Sequence, residues 1–386
     1  MKIALLSEKY TPDIGGLAIS TGRLGELFAS AGHDVRVFCP SPNLPPSEKQ
    51  ILRSGGVRVT RFGAHKRVDD TLVDWFELIT DEHQREPFDV IHAYFLPMAG
   101  FVGAYAGKYL DVPSVASIRG NDIERATFDP SKFAHVMYAL QYADAVTTNA
   151  SKLAKKAKAF VDREIHLIPN GIDTTLFKPM ERNETLAESV LEAPLREQAP
   201  GVQMPVIGFV GELREKKGLA TLLSGYAQLV KKTPASLLIV GEVRNGEDKK
   251  VFEEFRISNP EYRITVTGHV PHKDLPAYYS LMDVFVHPSM RDGMPNAVLE
   301  AMACGKAVIA TPVGGMTDII EDGVNGYLVK INDAAGLAEK MAEVLRQPEK
   351  REAVGRSARE AALSQFTLAK ELQSNLTIYA SLGVKQ

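Results

Sequence analysis

A chain of 386 residues is long enough for two domains of ordinary size. Hydrophobic content of 45%, charged content of 24% and a net charge of -3 suit a globular enzyme and give no electrostatic basis for a nucleic-acid partner. The two cysteines, Cys39 and Cys304, lie far apart in apolar or helical context; they suggest neither a disulfide framework nor a metal site, and they suit a reducing cytoplasm.

In chain order, the first apolar run, Ile3–Leu6, is too short for the core of a secretion signal and reads as a strand. Further buried strands are predicted at Val35–Cys39, Val90–His92, Ser114–Ile118, Ala145–Thr148 and His166–Ile168, with amphipathic helices such as Ser20–Ala31 between most of them. Strands alternating with helices imply a parallel sheet with crossover helices. Pro169-Asn170-Gly171-Ile172-Asp173 closes this set with a strong turn signal. Met180–Pro205 is charged, proline-punctuated and weakly periodic, as expected of an inter-domain connection. The alternation restarts with strands at Val206–Val210, Ser236–Val240, Ile264–Thr267, Val284–His287, Ala307–Ala310 and Tyr327–Val329, and from about Ala334 the pattern is helical. No stretch approaches the roughly 20 apolar residues that a spanning helix needs.

The stretch Val284–Thr311 is the most informative. A strand leads through Arg291-Asp292-Gly293-Met294 into a helix that Pro295 can open and Gly305 can stop. Such a loop, at a strand's carboxyl end and over a helix N-terminus, is where an open α/β sheet binds anions. Glu300 lies about one and a half turns into that helix, where a carboxylate can accept from a sugar diol. Two other strand ends lead into comparable loops. Tyr10 to Gly16 ends in paired glycines, which let backbone approach a ligand closely. Gly208 to Gly218 is basic, with Lys217 as a point charge and Arg214 as a bidentate donor for a diphosphate. Each loop also has a plain structural reading as a surface turn. Arg119 and Asp122 lie just past another strand end. Lys152, Lys155, Lys156 and Lys158 make Ser151–Phe160 a basic helix, either a solvated face or a peripheral contact with anionic lipid. The nine histidines show no HExxH or similar spacing, so a metal site is not supported. The segments around Arg53–Asp70 and Asp122–Phe133, with aromatics including Trp75 and Phe128, carry no readable motif.

Taken together, the glycine pair, PNGID at 169–173, the Lys217-Gly218 pair, TGHV at 267–270, DGMPNAVLEAMACG and TPVGGMTDIIEDGVNGYLV at 311–329 resemble the retaining nucleotide-sugar glycosyltransferases of family 4. That resemblance implies the GT-B fold, two facing Rossmann-like doubly wound parallel-sheet domains. The expected division is 1–172 with a returning helix at 362–386, and 173–361 including a linker at 173–205. It implies transfer of a sugar from a nucleoside-diphosphate sugar, with UDP or GDP as the base-bearing part, to an acceptor hydroxyl on a saccharide, lipid-linked saccharide or small polar molecule, without cofactor or metal.

Residue by residue, Glu300 resembles the carboxylate that holds the donor ribose, and Asp292 stands where the family has its first glutamate. Gly293, Met294, Pro295, Asn296 and Leu299 line the sugar and phosphate side, and Val270 lies where the base is held. Lys217 matches the lysine on the diphosphate, with Gly211 at the preceding strand end, and Gly15 and Gly16 match the loop facing the donor phosphates and acceptor. There are three departures. Asp292 is one methylene short, about 1.5 Å less reach. Glu212 replaces the arginine of the family's G-R-L segment, which leaves Arg214 as its candidate substitute. Arg119-Gly120 replaces His-Gly, and arginine cannot act as a base. Two other readings stay open: a nucleotide-sugar epimerase of the same fold, and a non-catalytic nucleotide-sugar binder. Oligomeric state and acceptor are not legible.

Overall fold

The computed structural model describes residues 1–13, 15–191 and 204–385; Ile14 of the glycine loop and 192–203 of the expected linker lie outside the described residues. The chain forms two units, Met1–Asn170 with Leu368–Gln386, and Gly171–Thr367.

The first unit is built on eight strands: β1 (Lys2–Ser7), β2 (Asp34–Ser41), β3 (Lys49–Ser54), β4 (Val57–Gly63), β5 (Val90–Tyr94), β6 (Ser114–Ile118), β7 (Ala145–Thr148) and β8 (His166–Leu167). They lie in the order β3-β4-β2-β1-β5-β6-β7-β8. Only β3 runs antiparallel to its neighbour. Strands β5, β6 and β7 are buried from end to end, their small polar residues enclosed with the apolar ones, and β5 continues to Tyr94, past its expected end at His92. The direction of winding reverses between β1 and β5, so the loops after these two strands diverge and open a crevice at their carboxyl ends.

The second unit holds β9 (Val206–Val210), β10 (Ser236–Val240), β11 (Ile264–Val266), β12 (Val284–His287), β13 (Ala307–Ala310) and β14 (Tyr327–Leu328), all parallel, in the order β11-β10-β9-β12-β13-β14. Its winding reverses between β9 and β12. The loops that follow those strands contain Lys217 and Asp292.

Several expectations differ from the structure. The Arg53–Asp70 region is not a plain loop: β3 and β4 form a hairpin through Gly55 and Gly56, whose φ values of 57° and 79° make the mirror-image turn that matches strand twist. Trp75 is not a loop aromatic but sits on the helix Val68–Arg85, fully buried against Phe62. The expected linker is already part of the second unit by residue 172, because Ile172, Phe177 and Ala187 enter its core and Asn183 caps a helix at Glu184–Val190, its Oδ1 accepting from Leu186 N at 2.9 Å. The return to the first unit begins at Leu368 rather than 362, since Ala362 and Phe366 are still buried in the second unit's core. The N-terminal helix starts at Gly16, earlier than Ser20, and runs to Ser30. The helix carrying the lysines ends at Ala157, short of Phe160, with Leu153 and Ala157 buried in the core. Among the described residues, no helix is long and apolar enough to cross a membrane.

The returning segment is tied to the first sheet by a buried polar chain. Tyr379 hydroxyl and His92 Nδ1 are 2.7 Å apart, His92 Nε2 and Ser117 Oγ 2.7 Å, and Ser117 Oγ and Thr147 Oγ1 2.6 Å. Burial drives the His92 pKa from 6.5 down to about 3, with Arg119 adding to the effect. Below pH 6.5 the unfolded chain therefore binds a proton that the folded chain refuses. This contribution to stability is complete above pH 6.5 and is lost as pH falls toward 3. Between pH 6.5 and 4.5 the loss is about 2–3 kcal/mol. Denaturant unfolding at both pH values is expected to show a larger drop for wild type than for His92→Gln; equal drops would refute the assignment.

A second expectation concerns the loop after β13. Gly314 has φ 52°, and a Cβ there would overlap the carbonyl oxygens of Asp292 and Gly293. Gly323 has φ 78° but open space around it. Gly323→Ala should cost only the left-handed strain, about 1 kcal/mol. Gly314→Ala should cost about 3 kcal/mol or more, a midpoint lower by roughly 6–12 °C in thermal unfolding. Similar midpoints for the two variants would show that this approach is not constrained.

Candidate active site

The site in the second unit is made by two loops stitched together. Past β9, Gly211 (φ 124°) turns the chain, and Glu215–Lys217 forms a short 3-10 turn that ends at Gly218 (φ 84°), where any Cβ would strike the Pro288 carbonyl. Past β12, Met290 N donates to Lys216 O at 2.9 Å, while Ser289 Oγ bonds Lys216 O at 3.1 Å and Arg291 O at 3.0 Å. Thr311 Oγ1 donates to Ser289 O. These bonds leave the neighbouring residues, Lys217 and Asp292, side by side.

Lys217 Nζ forms an ion pair with Asp292 Oδ2, and His287 Nε2 reaches the same oxygen at 3.0 Å. Oδ1 accepts from Gly293 N at 3.1 Å. Burial would raise the Asp292 pKa, but Lys217 and His287 outweigh it and hold the carboxyl well below the usual carboxylate range. Burial lowers the His287 pKa against its bond to Asp292, with Lys217 helping. Since a carboxylate only accepts, the ring is assigned as neutral with the proton on Nε2. Its Nδ1 is buried with no partner among the described residues, and the ring lies parallel to Phe209 at 6.1 Å.

The helix Asn296–Ala303 begins directly after this loop. Pro295 stands at the cap position with extended backbone, one residue before the first helical position expected of it, and no side chain caps the helix. Its first N–H groups and dipole therefore favour an anion. Gly305 ends it with φ 71°. Glu300 lies four residues from Asn296, about 6 Å along the axis. Its carboxylate is nearly buried and accepts from Tyr279 hydroxyl at 2.9 Å on Oε2 and from His272 Nε2 at 2.9 Å on Oε1.

The other expected positions are less uniform. Val270 is half-buried on the loop just before His272. Asn296 and Gly293 are partly exposed, but Met294 and Leu299 point their side chains into the core, so Leu299 has only backbone to offer a ligand. Arg214 is paired with Glu212 at 3.0 Å and its Nε is buried with no partner among the described residues. The guanidinium expected to stand in for the missing arginine is thus engaged by the residue that replaced it.

In the first unit, the glycine loop follows β1. Arg61 clamps it, bonding Tyr10 O at 2.7 Å, Thr11 O at 3.1 Å and Asp13 Oδ1 at 3.2 Å. Gly15 (φ 128°) and Gly16 have open space where side chains would be, and no side chain caps the helix Gly16–Ser30. Arg119 lies over the Tyr94 ring at 4.2 Å and donates to Asn170 Oδ1 at 2.5 Å, while Asp122 accepts from the backbone of Arg119 at 2.8 Å and of Gly120 at 2.7 Å. Burial raises the Asp122 pKa to about 6 against these bonds. Glu8, at the winding reversal, accepts from Met98 N at 3.1 Å, and burial lifts its pKa to about 7. Sequence reasoning missed Glu8, His272, Tyr279 and His287. Glu8 just past β1, His287 at the end of β12 and His272 beside Val270 could have been flagged by position, whereas Tyr279, inside the helix Leu275–Leu281, carries no local signal.

Two family models match the chain: Glycosyltransferase Family 4 over residues 14–176 and Glycosyl transferases group 1 over residues 195–361. The chain is 24% identical to the N-acetyl-alpha-D-glucosaminyl L-malate synthase of Bacillus anthracis, over 95% of its own length and 94% of that protein. It is 27% identical to the GDP-mannose-dependent alpha-mannosyltransferase of Mycolicibacterium smegmatis, over 86% of its length and 85% of that protein. Sucrose-phosphate synthase from Thermosynechococcus elongatus matches with a TM-score of 0.81 at 24% identity over 100% of both chains. Anabaena Alr3699/HepE in complex with UDP matches with a TM-score of 0.80 at 20% identity over 99% of this chain and 100% of that one. With two parallel-sheet units of this kind, family models spanning most of its length and glycosyltransferases among its relatives, the chain is an enzyme of the family 4-like glycosyltransferases with the GT-B fold.

Proposed function

We propose that this enzyme transfers a glycosyl group from a UDP- or GDP-sugar to an acceptor hydroxyl with retention at the anomeric carbon. The observation that carries the reading is the placement of Lys217 beside Asp292 at the β9–β12 reversal, over an uncapped helix N-terminus, with Glu300 about 6 Å further along the helix. A diphosphate set at that terminus would meet the Lys217 ammonium and the helix N–H groups. A ribose beyond it would reach Glu300, and the transferred sugar would lie toward Asp292 and the Gly293 backbone. Relatives named for GDP-mannose and a similar fold solved with UDP support the nucleotide choice.

Bond breaking at the anomeric carbon leaves negative charge on the departing diphosphate. Fixed positive groups aimed at that charge are usually the largest catalytic factor. Lys217 supplies a full charge, held by Asp292 at the strand end and not free to wander. The acceptor attacks on the face from which the diphosphate leaves, and a phosphate oxygen takes the acceptor proton. Asp292, held ionised, recognises sugar hydroxyls and is not used as a nucleophile.

Initial-rate assays with UDP- and GDP-sugars, with the product anomer read by NMR, test the proposal. Lys217→Ala should lower kcat by roughly 100-fold or more with a smaller change in KM. Glu300→Ala should weaken nucleotide binding by roughly 10–100-fold. An inverted anomer would remove retention, and an epimer formed from donor alone would replace transfer with epimerisation. Variants that behave as wild type would show that the site lies elsewhere.

A further inference from the structure

We infer that His272 is a positioning residue for the carboxylate of Glu300, and that together with Tyr279 it orients that carboxylate toward a ribose diol; the inference rests on the donor-site reading above. The Glu300 side chain is 5% exposed, whereas the His272 side chain in contact with it is 53% exposed. The ring therefore stands at the mouth of a carboxylate that is itself nearly covered. Each carboxylate oxygen holds one fixed donor: His272 Nε2 on Oε1 and Tyr279 hydroxyl on Oε2, both at 2.9 Å. An ionised carboxylate offers about four lone-pair sites on two oxygens. One site on each oxygen remains, which matches the two O–H donors of a vicinal diol.

Both donors are themselves braced. Tyr279 is fully buried and its hydroxyl also lies 3.1 Å from Ala297 O. The His272 ring packs on Phe177 with centroids 5.0 Å apart. His272 opens the short turn that begins two residues after Val270, the position expected to face the base. One loop would then set the base side and the ribose carboxylate together. Packing alone does not account for the contact, because a half-exposed ring contributes little to the core and its loss opens no closed cavity.

Calorimetric titration of the full chain with UDP, GDP and ADP, and with their 2′-deoxy and 3′-deoxy counterparts, tests this on wild type, His272→Ala and His272→Gln. Wild type should bind its preferred ribonucleotide roughly tenfold or more tighter than either deoxy form, the usual scale for a hydrogen bond to a charged group. His272→Ala should weaken the ribonucleotide by roughly tenfold and leave the deoxy forms nearly unchanged, so that the ratio collapses. His272→Gln, whose amide N–H can reach Glu300, should restore part of it. A preserved ratio in His272→Ala overturns the positioning role. Equal binding of ribo and deoxy forms by wild type means that Glu300 does not read the ribose, and the inference falls while nucleotide binding stands. No binding of any nucleotide to wild type removes the donor-site reading and the inference with it.

Discussion

One oxygen of Asp292 accepts from both a lysine and an imidazole, and the organisation of the second unit's site follows from that shared acceptor. For Lys217 and His287 to converge on one atom, the loops after β9 and β12 must lie within a side chain's reach of each other. The Ser289 and Met290 bonds to Lys216 O fix that spacing, and Gly218 permits it because no Cβ separates its backbone from Pro288. The short aspartate side chain then makes sense. With His287 and Lys217 drawn to the loop, the short aspartate carboxylate completes the cluster and also accepts from Gly293 N next to it. The result is a lysine whose ammonium is held in place by Asp292.

The first unit applies the same rule with different parts. Its winding also reverses beside β1, and the loop that leaves β1 is also fixed by side chains, here the guanidinium of Arg61 bonding two carbonyls and Asp13. Arg119 is held by an aromatic face and an amide, so its charge is fixed in direction. It supplies a stationary positive charge beside the buried Asp122, which in turn adds to burial in raising the Glu8 pKa.

Much of this architecture was legible before any coordinates. The strands at Ser114–Ile118, Ala145–Thr148, Val206–Val210, Ser236–Val240, Val284–His287 and Ala307–Ala310 match their predicted limits residue for residue, because strands buried on both faces carry their own boundaries as apolar runs. The strand–loop–helix order around Asp292 and Glu300 was equally plain. The β3–β4 hairpin was not, since every residue of β3 is exposed and such a strand has no apolar run to read. The helix at Glu184–Val190 hid in a charged stretch because its capping asparagine, and not its periodicity, marks its start. The pairing of His272 with Glu300 depends on a loop and a helix meeting in space, which no local pattern encodes, and that of His287 with Asp292, though only 5 residues apart, depends on a turn that apolar periodicity does not set.

The segment that completes the first unit reaches its partner His92 from 287 residues away along the chain. Closing so long a loop by chance encounter would be entropically costly and slow. The second unit shortens that search. Ile172 N donates to Phe366 O at 2.7 Å, and Ile172 pairs with Thr367 in a parallel bridge, so the points where the chain enters and leaves this unit are adjacent. Once the second unit has folded, it acts as a clip that holds Leu368 next to Gly171. From the standpoint of the first sheet, an insertion of nearly two hundred residues then behaves as a tight turn.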